Sequence, residues 1–299
     1  MTKRNLNCPL CNSQLEESDF IYGNHKNSFK KKVLGWLYYL IFLLIPKKLF
    51  LYIRIPRRVT HSIWFGLKIN PCRNCGLYSL NKVPNKKLLA IWYNSVGNTS
   101  YLSIKETPTY SKRTYHQLEY LKKNLDLSTM KSSLEFGAGD GELSQILKKE
   151  YSIETTTVDI SEESNRYLRG TNLIDFVEED FPAKKKFDLI ICSHVLHLIH
   201  HFPEIFHTIN SSLSRSGFLF VETPNITEIY FKNDAQDAPY IWFLNKNVFE
   251  YLSSKFTQEI VDISFFGPRW EEFINKGVKN DQPSVLKDSI ILRSIMKNL

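Results

Sequence analysis

No stretch of this 299-residue sequence stays apolar for the roughly eighteen or more residues that a bilayer-spanning helix requires. No signal-peptide pattern opens it either: the first 32 residues are polar, and the apolar run comes only at Val33. Internal repeats and low-complexity tracts are missing, which leaves out solenoid and fibrous architectures. Negative charge is scarce at one end. Residues 1–60 hold eleven Lys/Arg against three Asp/Glu, whereas residues 61–299 hold 28 of each, so the whole formal +8 lies in the first fifth of the chain. That placement argues against a uniformly basic nucleic-acid binder and for a basic block facing an anionic surface. What is abundant is core material: 42% hydrophobic residues, with 20 Phe and 15 Tyr, exclude global disorder.

Cysteine is scarce and oddly numbered, at five, but four of the five pair by spacing: Cys8-Pro-Leu-Cys11 and Cys72-Arg-Asn-Cys75-Gly76. Two C-x-x-C knuckles in a chain without secretory signals read as a tetrahedral zinc site with thiolate ligands; a disulfide framework is the competing reading. Cys192 falls on an apolar strand pattern and reads as a buried, inert thiol.

Between the knuckles, Lys30-Lys31-Lys32 leads into thirteen nearly all-apolar residues, Val33 to Ile45, followed by Pro46-Lys47-Lys48 and a second apolar run to Ile53. Thirteen helical residues rise about 20 Å, short of a hydrocarbon core about 30 Å thick. Extending the run to Ile53 would bury a proline and two lysines. The segment at about 28–58 therefore predicts an interfacial helix or helical hairpin, with Trp36, Tyr38 and Tyr39 near headgroups. Packing as a lid or a dimer interface is the alternative. Residues 1–82 read as a zinc-knuckle region carrying this insertion, and 83–128 as a helical connector. The connector has helices near 86–93 and 111–125, the second with an apolar stripe of Tyr115, Leu118, Leu121 and Leu125.

From residue 129, strand and helix patterns alternate to residue 299, with helices expected near 142–150, 162–169, 203–213 and 246–254. Such alternation predicts a largely parallel sheet with helices on both faces. Its first turn carries the most information. Strand 133–136 leads through Glu135 into Gly137-Ala138-Gly139-Asp140-Gly141 and then a helix. Glycines there admit a ligand close to the backbone at a helix N-terminus. A dinucleotide fingerprint is excluded because Glu142 occupies the place of its last glycine. A second strand, Thr155 to Ile160, places Asp159 about twenty residues on, where a carboxylate can accept ribose hydroxyls. Glu178-Glu179-Asp180-Phe181, Phe187 to Leu196, and Gly217 to Asn225 complete the series.

These five signals, in this order, resemble the class I S-adenosylmethionine-dependent methyltransferases. The resemblance implies a Rossmann-like, seven-stranded, mostly parallel sheet with helices on both faces, joined here to a small N-terminal zinc-binding region with an apolar helical insertion. It implies S-adenosylmethionine contacts from Glu135, Gly137, Ala138, Gly139, Asp159, Ile160, Asp180, Phe181 and Ser193. Asp180 is expected at the adenine amine and Phe181 at the ring, while Tyr101 and Tyr110 are weaker candidates. The chain departs from the pattern after the fourth strand. Relatives often carry His-Val-Leu-Glu-His, and this sequence has His194-Val195-Leu196-His197-Leu198. His194, at the mouth of that strand, and His197 are the candidate catalytic groups, with pKa values suited to taking a proton from a hydroxyl. Zinc at Cys8, Cys11, Cys72 and Cys75 is expected to be structural.

Knuckles ahead of such a domain resemble methyltransferases of bacterial sugar and polysaccharide pathways. The expected acceptor is accordingly a hydroxyl of a glycan, nucleotide sugar or lipid-linked saccharide. A small lipophilic acceptor such as a quinone precursor is the enzymatic alternative, and a non-catalytic membrane or protein adaptor is the alternative outside enzymology. Nucleic acid is not an expected partner. The expected setting is the cytoplasm, at the inner face of the cytoplasmic membrane where the basic insertion makes contact.

Overall fold

The computed structural model describes residues 2–3, 7–18, 20, 33, 37, 67–83, 110–182, 184–232, 240–269, 272, 283–284 and 289–299. The expected hairpin at 28–58 lies outside the described residues apart from Val33 and Leu37, as do the helix near 86–93 and Tyr101.

Among the described residues, the first strands are β1 (Thr2–Lys3), β2 (Ile69–Pro71), β3 (Tyr78–Leu80) and β4 (Lys82–Val83). Helix α1 (Lys112–Asn124) follows, its first turn capped by the Ser111 hydroxyl, which accepts from the Thr114 N–H. Then come β5 (Ser132–Phe136), α2 (Glu142–Tyr151), β6 (Glu154–Val158), α3 (Glu162–Arg169), β7 (Phe176–Glu178) and β8 (Phe187–Ser193). The chain closes with α4 (Phe202–Ser212), β9 (Leu213–Pro224), α5 (Glu228–Lys232), β10 (Trp242–Phe243), α6 (Lys246–Lys255), β11 (Gln258–Arg269), β12 (Pro283–Ser284) and β13 (Ser289–Asn298).

The main sheet has the order β12-β11-β13-β9-β8-β5-β6-β7. Neighbours from β9 to β7 are parallel, β13 runs antiparallel to β9, and β11 runs antiparallel to β13. This is the expected seven-stranded, mostly parallel sheet, with the two-residue β12 added at one edge. The chain winds outward from β5 to β7 and then returns to β8 on the other side of β5. That reversal opens a crevice at the carboxyl ends of β5 and β8, where ligands of open α/β sheets bind.

Burial on both faces accounts for the unbroken apolar strands. Along β8, Leu189 and Ile191 join a cluster with Leu118 and Leu121 of α1 and Leu143, Ile146 and Leu147 of α2. The alternate residues Ile190 and Cys192 join another with Phe202 and Phe206 of α4 and Val248, Phe249 and Leu252 of α6. The period of two thus splits one strand between two helical layers. Cys192 is fully buried, as expected, and burial raises its thiol pKa. The apolar stripe of α1 differs from expectation. Tyr115 is 48% exposed, while Tyr120 is buried with its ring against Phe220 and Phe266.

Strands β1 and β4 pair with each other, while β2 and β3 form a second small sheet with β10 from much later in the chain. In the order β10-β3-β2, Trp242 pairs with Ser79 and Phe243 with Tyr78.

Candidate functional site

The glycine loop leaves β5 with its backbone fixed to the neighbouring strand, Gly137 N–H donating to the Val158 carbonyl at 2.8 Å. Gly137 and Gly139 both adopt positive φ, at 71° and 59°, but for different reasons. A Cβ on Gly137 would lie 2.5 Å from a Val195 methyl, so close packing on the exit of β8 requires glycine. A Cβ on Gly139 would meet nothing within 4 Å. Gly139 therefore borders open space, and its N–H donates to Asp159 Oδ2 at 2.8 Å. The other Asp159 oxygen accepts the Ser161 N–H at 2.8 Å, and it is Ser161 that caps α3. Asp159 is thus held at the loop rather than used as a helix cap.

Glu135 is buried beneath the loop, with Oε2 accepting from the Ser144 N–H at 3.1 Å and the Ser144 hydroxyl at 2.6 Å. Burial outweighs those bonds and pushes its carboxyl up to about 7. Burial, followed by the neighbouring Glu142, also raises Asp140. Glu142, in the place of a dinucleotide fingerprint's last glycine, ties the loop to α1: Oε2 accepts the Ser111 N–H at 2.9 Å and the Thr114 hydroxyl at 2.5 Å. The structure brings Glu135, Gly137, Ala138, Gly139 and Asp159 together. Phe181 packs edge-on against Phe136 at 5.6 Å. Ile160, 73% exposed, and Asp180, also exposed, stand just beyond the ends of β6 and β7.

Across the crevice lies a charged cluster that sequence reasoning missed. Glu222, fully buried on β9, takes Arg293 Nε on Oε2 at 2.6 Å and both Arg113 Nε and Gln117 Nε2 on Oε1 at 2.8 Å. Arg113 and Gln117 also donate to the Ser193 hydroxyl, at 2.6 and 2.8 Å. Ser193 therefore faces this cluster. His194, at φ 53°, places Nε2 3.1 Å from Glu222 Oε1 and keeps 30% of its side chain exposed. Burial alone would raise the Glu222 carboxyl, but Arg113, His194 and Arg293 together hold it well below the ordinary carboxylate range. One signal was available: Glu222 and Arg293 each interrupt an otherwise apolar strand run.

Burial, then the nearby Arg113, lowers the pKa of His194 despite Glu222. His197 is only 3% exposed and is lowered further, by burial and then by His194 and Arg113. It sits in a 3-10 turn (Leu196–Leu198), its Nδ1 3.2 Å from the Thr223 hydroxyl and its ring 4.6 Å from that of Tyr240. The two imidazoles lie edge to face at 5.9 Å.

The four knuckle cysteines form a separate centre, with all four Sγ atoms within 4.8 Å of one another. Cys8 and Cys75 are 3.5 Å apart, and Cys11 and Cys72 are 3.3 Å apart. A zinc tetrahedron with 2.3 Å arms has edges of about 3.8 Å, so the donor set fits that ion. A hydrogen bond from Cys75 lowers Cys8 to about 5, while Cys75 itself is raised by the same contact.

The sequence profile of a methyltransferase domain family matches residues 111–261, just over half of the chain, including the glycine loop, Asp159, Glu222 and both histidines. The chain belongs to that family. It is an S-adenosylmethionine-dependent methyltransferase, and the open space at Gly139 beside Asp159 and the buried Glu135 fits that cofactor. Similar solved structures include a methyltransferase from Clostridium acetobutylicum, with 15% identity, a TM-score of 0.47, and coverage of 69% of this chain and 98% of that one. Another is the N-methyltransferase NodS from Bradyrhizobium japonicum in complex with S-adenosylhomocysteine, with 14% identity, a TM-score of 0.45, and coverage of 68% and 94%. No curated protein matches this methyltransferase in sequence. Among the described residues, no helix is long and apolar enough to cross a membrane.

Proposed function

We propose that the chain methylates a hydroxyl of a glycan, nucleotide sugar or lipid-linked saccharide, with His194 as the group that takes the hydroxyl proton. The observation that carries this reading is the setting of His194: at the exit of β8, part-exposed, beside Glu222, and with its pKa lowered. A lowered pKa keeps the imidazole neutral near pH 7, the form that accepts a proton. The bound cofactor would supply a methyl group already activated on a sulfonium sulfur. The residues for it are Glu135, Gly137, Ala138, Gly139 and Asp159, with Ile160, Asp180, Phe181 and Ser193 around them. Their task is to hold it and to shut out water, since orientation alone can contribute about 7–11 kcal/mol. His197 is the second candidate, but its burial suits support of the turn better than contact with an acceptor.

The test is turnover against a panel of saccharide, lipid-linked saccharide and phenolic quinone-precursor acceptors, with His194→Ala in parallel. The expected result is turnover on a saccharide hydroxyl, lost in the mutant while S-adenosylhomocysteine affinity is kept. Turnover confined to the phenolic acceptors would replace the saccharide reading. Equal turnover in the mutant would remove His194 from the chemistry.

Cys8, Cys11, Cys72 and Cys75 are assigned to one structural Zn²⁺, supported by their spacing and mutual approach. Metal analysis of the purified chain should find one equivalent. We also assign the basic, apolar 28–58 segment to contact with an anionic membrane at the cytoplasmic face. Val33 and Leu37, 44% and 53% exposed, agree with this. Flotation with anionic vesicles, lost on deletion of 28–58, is the expected outcome. The division into residues 1–82, 83–128 and 129–299 belongs to the same proposal.

A further inference from the structure

We infer that the four-cysteine cluster is built into the acceptor side of the crevice, so that metal occupancy governs the order of that side while leaving cofactor binding intact. This rests on the reading of the His194–His197 turn as acceptor-facing. Cys72 follows β2 directly and Cys75 lies just before β3, and the turn between them is closed by Gly76 N–H to the Cys72 carbonyl and Cys72 N–H to the Leu77 carbonyl. The third strand of that sheet is β10, from the far end of the chain.

The other side of β10 carries the catalytic turn. Ile241 N–H donates to the His197 carbonyl at 2.9 Å, and Trp242 Nε1 donates to the Ile199 carbonyl at 2.5 Å. Tyr240 lies edge-on to the His197 ring, and Trp242, 2% exposed, packs against Phe202 at the start of α4. From the cysteine cluster to the turn at His197 the path crosses two strands, β3 and then β10. A second tie runs beside it. Asn245 caps α6 with Oδ1 and donates from Nδ2 to the Gly76 carbonyl at 2.8 Å, while Lys255 Nζ donates to the Leu10 carbonyl at 2.8 Å. Of the cofactor residues, Glu135, Gly137, Ala138, Gly139, Asp159 and Ile160 lie on β5, β6 and the loops after them, Asp180 and Phe181 follow β7, and Ser193 ends β8, so none is on β3 or β10.

Without a cation the four facing thiolates repel one another, and Ile69, Leu77 and Leu80, buried in the same core as Trp242 and Phe243, carry any displacement of the two knuckles towards β10. Loss of the metal should therefore free β3, then β10, then the turn from 196 to 199. The β5–β6 half, supported by α1, α2 and α3, should not follow.

The experiment is hydrogen exchange by mass spectrometry on the full chain in three forms: zinc-loaded, chelator-treated, and zinc-loaded Asn245→Asp. Each is also titrated calorimetrically with S-adenosylhomocysteine. Asn245→Asp keeps the helix cap but sets a carboxylate against the Gly76 carbonyl, so it loosens the docking with all four cysteines intact. Exchange over 196–199 and 241–244 should rise about tenfold or more in the chelated form and in Asn245→Asp, with S-adenosylhomocysteine affinity within about twofold of the loaded chain. Unchanged exchange at both segments after metal removal would overturn the inference. So would loss of protection across β5 and β6 together with cofactor affinity, which would make the metal a support for the whole fold. Failure of the loaded chain to bind S-adenosylhomocysteine would count against the methyltransferase reading alone, and the exchange pattern would still decide the coupling.

Discussion

Arg293 faces Glu222 across the registered pair of β13 and β9, and its Nε donates to Glu222 Oε2 at 2.6 Å with both side chains fully buried. Arg113 reaches the other oxygen from α1, so one carboxylate joins three elements that lie 71 and 109 residues apart in sequence. Removing one partner from such a buried group leaves an uncompensated charge, which costs about 3–5 kcal/mol. Glu222→Gln should therefore lower the melting temperature by roughly 10 °C, at the scale of about 2–4 °C per kcal/mol for chains of this size. A shift below about 2 °C would mean that solvent or rearrangement compensates the arginines.

That cluster also marks the limit of what could be read from the residues in order. The glycine loop, the carboxylate after β6 and the alternation of strands and helices are local patterns, each carried by a few consecutive residues, and they appear where expected. Expected helices at 162–169 and 246–254 correspond to Glu162–Arg169 and Lys246–Lys255. The arginines did not announce their partners, because pairing across a sheet depends on which strands become neighbours. The stripe of α1 shows the same limit. Three-and-four spacing chose Tyr115, but Tyr120 is the buried ring, because β11 presents Asp262 Oδ2 to its hydroxyl at 2.6 Å and Phe266 edge to face with its ring. Likewise, nothing in the residues between the knuckles foretold that β10 would complete their sheet.

The two loop glycines should fail in different ways. Gly137→Ala forces a Cβ to within 2.5 Å of Val195 and should reduce stability. Gly139→Ala keeps the protein core untouched but projects a methyl into the open space beside Asp159, at a φ that itself costs about 1 kcal/mol. Calorimetry should show S-adenosylhomocysteine affinity falling more than stability for Gly139→Ala, and thermal melts should show the reverse order for Gly137→Ala. Equal effects from both would argue against a ligand lying along Gly139.

The proposed place of Asp159 at the cofactor's ribose is open to direct measurement. Hydrogen bonds to a charged group contribute about 1.5–3 kcal/mol, so Asp159→Ala should weaken S-adenosylhomocysteine by roughly 10- to 100-fold. Part of that loss would come through the Gly139 N–H, which the carboxylate also holds. Asp159→Asn, which keeps one acceptor, should fall between the two. An unchanged dissociation constant in the alanine variant would exclude Asp159 from the site.

With Glu135 in its proposed place at the cofactor, binding should depend on pH in a defined direction. Burial raises its carboxyl to about 7, so near pH 7 about half the molecules carry the proton. The proposed ligand brings an ammonium group to this side of the loop and favours the carboxylate, so binding should expel that proton. Affinity should then rise as pH increases from about 6 to 8. Stability of the ligand-free chain moves the opposite way. The folded state holds the proton more tightly than the unfolded chain, so this contribution is complete below about 4.5 and is lost as pH rises through about 7. Calorimetric titration at pH 7 in two buffers of different ionisation enthalpy should show release of up to about half a proton per S-adenosylhomocysteine. Glu135→Gln should abolish both the release and the rise in affinity. Proton uptake, or release that persists in the glutamine variant, would place the titrating group elsewhere.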